Sequence, residues 1–334
     1  MTSNTLLIKR WRWWFAIFFS GIIAGFLPVV LWPFISHLPH WQPLPAVQQV
    51  LCIGKQSALV VAVYVFKPLY MLLALGILVF SWREQGTAWQ SLKASILTFW
   101  IGEGFCWLNI LFFNDGALIF EYLHSLFMVF CLGFLFFSLM QVMDDNLLHF
   151  SDLHTRCAFV GICKNCSKNQ PIFRRSCLLY RLFKWMIPMA ALVALIPLMA
   201  QPNNYSFIVN VFGYSRALNH LMPIQWFELH FSPLASLVLM IASWVALIWP
   251  SNKPGINHNS LLLSKVFLSA SIGYLSFSMM RLIFASFYRQ LLVWFVFWEE
   301  LTELMLIVGI LIVVLLIRSE KVNHLKFRLK EYFA

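Results

Sequence analysis

Residues 290–317 read QLLVWFVFWEELTELMLIVGILIVVLLI, and Glu299, Glu300 and Glu303 are the charges within that run. An α-helix rises 1.5 Å per residue, so roughly 20 apolar residues cross the ~30 Å hydrocarbon layer of a bilayer. The run is long enough to cross. Beyond Glu303 it is uniformly apolar. Its three carboxylates are in the wrong solvent, at roughly 2.5–3.5 kcal/mol each on insertion scales. The stretch therefore predicts a membrane span and, equally, a polar interior that the span packs against.

The rest of the chain follows the same pattern. Of its 334 residues, 61% are hydrophobic and 11% charged, with 33 Phe and 15 Trp. A soluble domain carries roughly 45–50% apolar and about 25% charged residues. This composition excludes a soluble multidomain protein, a disordered chain, a collagen and a small disulfide scaffold. Apolar runs of spanning length occur at 14–36, 58–80, 94–113, 117–141, 182–200, 231–249, 261–287 and 290–317. The expected fold is all-α, a polytopic transmembrane helical bundle of about eight spans. Residues 1–141 form the first four helices and 142–181 a Cys-rich basic loop. Residues 182–317 form the last four helices, with an interfacial loop at 201–230, and 318–334 a basic tail.

Nineteen of the 24 Lys and Arg residues fall on one side of this weave, including Lys9, Arg10, Arg12 and the tail. The positive-inside rule then makes both termini cytoplasmic. The formal charge of +11 is a topology signal, and no nucleic-acid partner is expected. The first apolar run exceeds the ~7–15 residues of a signal-peptide core, so it reads as a retained anchor. Tryptophans such as Trp11, Trp32 and Trp249 cluster near span ends, as in interfacial aromatic belts. The expected location is a bacterial inner membrane. The partners are membrane lipids and, on one reading, other membrane subunits.

Glu103, Glu121, Glu299, Glu300 and Glu303 lie inside spans, with Lys67, His124 and Arg281. On the expected topology all eight fall between the midplane and the outer surface, which points to one chamber opening outward. Helical spacing supports this, because residues three or four apart share a face. Glu121 and His124 make a Glu-x-x-His pattern, by which helical bundles offer two metal ligands from one helix. Glu103 and Cys106 share a face, as do Glu299 and Glu303. Five carboxylates against Lys67 and Arg281 leave three formal negative charges, which a low-dielectric chamber holds only with protons or a cation. The expected metal ligands are Glu103, Glu121, His124, Glu299, Glu300 and Glu303, and the ion is Fe, Mn or Zn. Glu103, Glu300 and Arg281 are the expected catalytic groups. Haem fits poorly, since His124 is the one histidine well inside a span.

Cys157, Cys163, Cys166 and Cys177 are spaced C-x5-C-x2-C-x10-C in the basic loop. Cytosolic thiols stay reduced, so a bound Zn is a better expectation there than disulfides. Glu299-Glu300 and Phe120-x3-His124 resemble the paired glutamates and the F-x3-H element of the glutamate-dependent intramembrane proteases of the CAAX-processing type. The likeness covers a handful of residues. Glu303 stands near the pair in place of the basic residue of that pattern, a second histidine element is lacking within the spans, and the order along the chain is reversed. Three functions fit the residues. The first is a membrane-embedded metalloenzyme acting on an apolar or lipid-like substrate. The second is a metal-ion or proton-coupled transporter, and the third a non-catalytic accessory subunit. The sealed run after Glu303 favours the enzyme.

Overall fold

A computed structural model describes residues 47–113, 117–145, 178–211, 213–248, 258–288 and 291–318. Seven long helices and a small sheet make up these residues. In chain order they are β1 (Val47–Gln49), α1 (Ile53–Ser81), α2 (Thr87–Phe113), α3 (Leu118–Met143), α4 (Leu178–Val193), β2 (Tyr205–Val211), β3 (Tyr214–His220), α5 (Met222–Ile248), α6 (His258–Tyr288) and α7 (Leu292–Arg318). Five segments are long and apolar enough to cross a membrane: Ile53–Ser81, Leu118–Met143, Arg181–Met199, Met222–Ile248 and Ser260–Tyr288. Helices α2 and α7 are 27 residues each, with Glu103 in the first and Glu299, Glu300 and Glu303 in the second. The expected first span at 14–36, the four loop cysteines Cys157, Cys163, Cys166 and Cys177, and the basic tail past Arg318 lie outside the described residues.

Helices α1, α2, α3, α6 and α7 form a ring: α1 packs on α2 and α7, α2 on α3, α3 on α6, and α6 on α7. Helix α5 backs α6 and packs against α4, the three sharing a cluster of Ile187, Met240, Leu247, Leu261 and Leu268. Glycine sets two of these contacts. A Cβ at Gly273 of α6 would lie 2.5 Å from the Val129 carbonyl oxygen and 2.8 Å from the Gly133 nitrogen of α3, so the two backbones touch. A Cβ at Gly102 of α2 would lie 3.0 Å from the Cβ of Phe127 on α3. Serines stitch α5 to α6 through Ser236–Ser271 and Ser243–Ser264, each pair 2.9 Å apart. Leu72, Val79, Trp185, Met189 and Met305 are exposed, as expected of apolar side chains whose solvent is lipid.

Two helices carry a π-helical turn, Ala62–Phe66 in α1 and Phe227–Phe231 in α5. Each ends two residues before a proline, in Phe66-Lys67-Pro68 and Phe231-Ser232-Pro233. A proline inside a helix has no N–H to donate, and its ring clashes with the carbonyl four residues back. Those carbonyls belong to Tyr64 and Leu229, within the widened turns. The π turn thus lets each helix run through its proline without stopping.

The described residues are mostly helical, as expected, with a small three-stranded sheet that the all-α reading did not include. β1 runs parallel to β2, Val47 opposite Phe207, and β2 runs antiparallel to β3, Tyr205 opposite His220 and Val211 opposite Tyr214. Gly213, at φ 91°, supplies the left-handed backbone of the turn. The apolar, aromatic segment expected to lie along the membrane surface alternates with a period of two, which is the signature of a half-buried strand. Val209 and Leu218 point inward against Leu59, Phe284, Leu292 and Phe295. The sheet thereby caps one end of the ring. Its base is tied to the start of α5, where Met222 N–H donates to Asn204 Oδ1 at 2.5 Å and Gln225 Nε2 to the His220 carbonyl at 2.7 Å.

Candidate metal centre

The five ring helices and α5 each send charged or polar side chains to one place in the half of the bundle beneath the sheet. At 1.5 Å per residue, His124, Arg281, Glu103 and Glu303 lie about 9–17 Å from the sheet-side ends of their helices. Lys67, Tyr70, Glu103, His124, Glu228, Arg281, Glu300 and Glu303 are all buried. The π turn of α1 leads directly into Lys67 and that of α5 contains Glu228, so both widened turns present a charge to the same interior.

One half of the cluster centres on His124. Its Nδ1 lies 3.2 Å from the Gly102 carbonyl, an approach that the bare Gly102 backbone allows, and 3.3 Å from Glu103 Oε1. A carbonyl only accepts, so this contact puts a proton on Nδ1, and in the neutral ring Nε2 then carries the lone pair. Nε2 is buried and has no hydrogen-bond partner, and the same holds for Oε1 of Glu103 and of Glu303. Nε2 faces Glu299 Oε1 and Glu303 Oε1, both at 3.9 Å. A histidine that donates its Nδ1 proton to a carbonyl and aims a bare Nε2 at carboxylates is arranged as metal-bound histidines are. Tetrahedral Zn with ligands at about 2.1 Å separates them by about 3.4 Å, so each of the two Nε2–carboxylate distances would need to shorten by about 0.5 Å.

The other half centres on Tyr70 and Lys67. The Tyr70 hydroxyl lies 2.6 Å from Glu103 Oε2, 2.6 Å from Glu300 Oε2 and 2.9 Å from Glu303 Oε2. Lys67 Nζ donates to Glu103 Oε2 at 2.6 Å, to Glu300 Oε1 at 2.9 Å and to the Tyr70 oxygen at 3.0 Å. The carboxylate of Glu303 joins the halves, one oxygen facing His124 and the other Tyr70.

A polar chain leads from this centre to the sheet. Arg281 Nη1 contacts Glu299 Oε1 at 2.5 Å and its Nε lies 3.0 Å from Glu228 Oε1. Glu228 Oε2 lies 2.9 Å from His220 Nε2 at the end of β3. The guanidinium stacks over Phe277 at 5.1 Å and Phe295 at 5.7 Å. A cavity of about 90 Å³ runs alongside, lined among others by Glu121, His124, His220, Glu228, Arg281 and Glu299. Toward the other end the centre is floored by apolar side chains. The α7 face that holds Glu303 continues as Ile307, Ile310 and Val314, packed with Ile77, Ile96, Met128 and Phe277.

Three groups of side chains bring potential ligand atoms within 4.8 Å of one another: Glu103, Cys106 and His124; His124, Glu299 and Glu303; and Glu103, Glu300 and Glu303. Of the expected ligands, Glu103, His124, Glu299, Glu300 and Glu303 are thus gathered. Glu121 is not part of any of these groups and lines the cavity instead. The carboxylates that face His124 Nε2 come instead across the bundle from α7, as Glu299 and Glu303. Arg281 sits beside Glu299, and Lys67 lies inside the cluster. Sequence reasoning missed Tyr70, Glu228 and His220. Tyr70 stands three residues from Lys67 on one helical face, a spacing that marks it out. No family model, no curated protein and no solved structure matches the chain.

Proposed function

We propose that the protein is a polytopic membrane protein holding one divalent metal ion between His124, Glu299 and Glu303, and that the ion is a resident catalytic centre. The supporting observation is the buried, unpartnered Nε2 of His124, its other nitrogen spent on the Gly102 carbonyl. Nitrogen and carboxylate donors suit Fe(II), Mn(II) or Zn(II). Such an ion would act as a Lewis acid or activate a bound water. Arg281 orients Glu299, Tyr70 orients Glu303, and the cavity beneath the sheet admits the reactant. On the charge bias of the flanking segments the sheet end faces outward, both termini are cytoplasmic, the spans number eight, and a bacterial inner membrane is the setting.

The cavity bears on the size of the reactant. About 90 Å³ takes a few waters or a small solute, whereas pockets for drug-sized ligands run to ~300–1,000 Å³. A small polar reactant fits better than a lipid or a quinone. The same size favours a second reading, in which a divalent ion is cargo. Against it stands the apolar floor of Ile307, Ile310 and Val314.

Elemental analysis of the purified chain tests the site. About one Fe, Mn or Zn per chain is expected in the wild type and none in His124→Ala; a metal-free wild type overturns the reading. Flux into proteoliposomes separates the two roles. Divalent-ion uptake abolished by Glu303→Gln would make the ion cargo and end the catalytic reading.

A further inference from the structure

The ligand atoms of Glu103, Glu300 and Glu303 lie within 4.8 Å of one another, and a cation already sits against two of these carboxylates, the Lys67 ammonium on Glu103 and Glu300. An ammonium has three N–H donors. Those of Lys67 are used on Glu103 Oε2, Glu300 Oε1 and the Tyr70 oxygen at 2.6–3.0 Å, which leaves the group saturated. The lysine directly follows the π turn Ala62–Phe66 of α1. Its Nζ is surrounded by oxygen in the way an ion would be, and it is buried at 1% exposure.

From this geometry we infer that the cluster contains a second cation position, joined to the first through Tyr70 and Glu303, and that the chain fills it with its own Lys67. The inference rests on the reading of the His124 triad as a metal site for its contrast between the two positions. The filled position limits the centre to one divalent ion. It also keeps a fixed single positive charge beside that ion, one that cannot exchange with the medium. Removing the ammonium while keeping the carboxylates should open the position to a divalent ion, since three buried carboxylates are held together only by protons or a cation and a divalent ion binds such oxygens directly.

The test is metal stoichiometry in the purified full-length chain, stripped and reloaded with Mn(II) or Zn(II), for the wild type, Lys67→Ala and Lys67→Arg. The expected outcome is about one, about two and about one ion per chain. One ion in both the wild type and Lys67→Ala overturns the inference and leaves the His124 site standing. No ion in the wild type with one in Lys67→Ala supports the inference and removes the His124 site. Should Lys67→Ala fail to fold alone, growth with added Mn(II) or Zn(II) is expected to recover it; failure of both ions to do so overturns the inference.

Discussion

The Tyr70 hydroxyl has one proton to give and three carboxylate oxygens within 2.9 Å. It donates to one of them and accepts from Lys67, so its role is to fix relative positions among groups that would otherwise repel. Tyr70→Phe leaves the ring volume in place and removes that fixing point. On the metal reading, losing such an outer contact lowers metal affinity by about 10–100-fold, measured by competition against an indicator of known affinity. Unchanged affinity would mean that Glu303 is held by something other than Tyr70. At this scale the sequence was readable wherever a residue carried a formal charge. Glu103, Glu299, Glu300, Glu303, Lys67 and Arg281 stand out because lipid makes each one costly. Tyr70 did not stand out, because a phenol inside a span carries no such cost.

At the scale of the element, the difficulty was where helices begin. The apolar run at 231–249 begins just before Pro233 and puts the start of the helix there. The helix in fact begins at Met222 and passes through the proline by its π turn. That misreading hid Glu228, a buried partner of Arg281, in what looked like a surface loop. Helix contacts themselves leave a clearer trace. Gly133 and Gly273 mark the crossing of α3 and α6, which carry His124 and Arg281. Gly273→Val is expected to push these helices apart and cost about 1–3 kcal/mol, the range for overpacked interiors. Thermal unfolding in detergent would show a lower Tm, with metal content lowered as well. A variant with wild-type Tm and metal content would show that the crossing is looser than its 2.5 Å approach implies.

For the whole molecule, ring closure by α1, α2, α3, α6 and α7 turns scattered charges into one centre. Their shared depth was legible from span lengths, because each span's direction converts residue number into height. The sheet was not, since its alternating strands are as apolar as an interfacial segment. Orientation can be tested at Cys52, which is exposed beside the sheet. In a variant retaining Cys52 alone, a membrane-impermeant maleimide is expected to label intact cells. In one retaining Cys163 alone, labelling is expected only after permeabilisation. The opposite pattern would invert the topology.

The floor of Ile307, Ile310, Val314, Met128 and Phe277 has a consequence for how the centre is supplied. With the sheet end outward and an ion at His124, as proposed, that ion would enter beside the sheet after the chain has been inserted, from whatever the outside medium offers. The cell's internal metal buffers would then have no direct say in which ion is loaded. Scarcity outside would starve the centre while the cytoplasm was replete, and a chelator too polar to enter the cell would suffice to empty it.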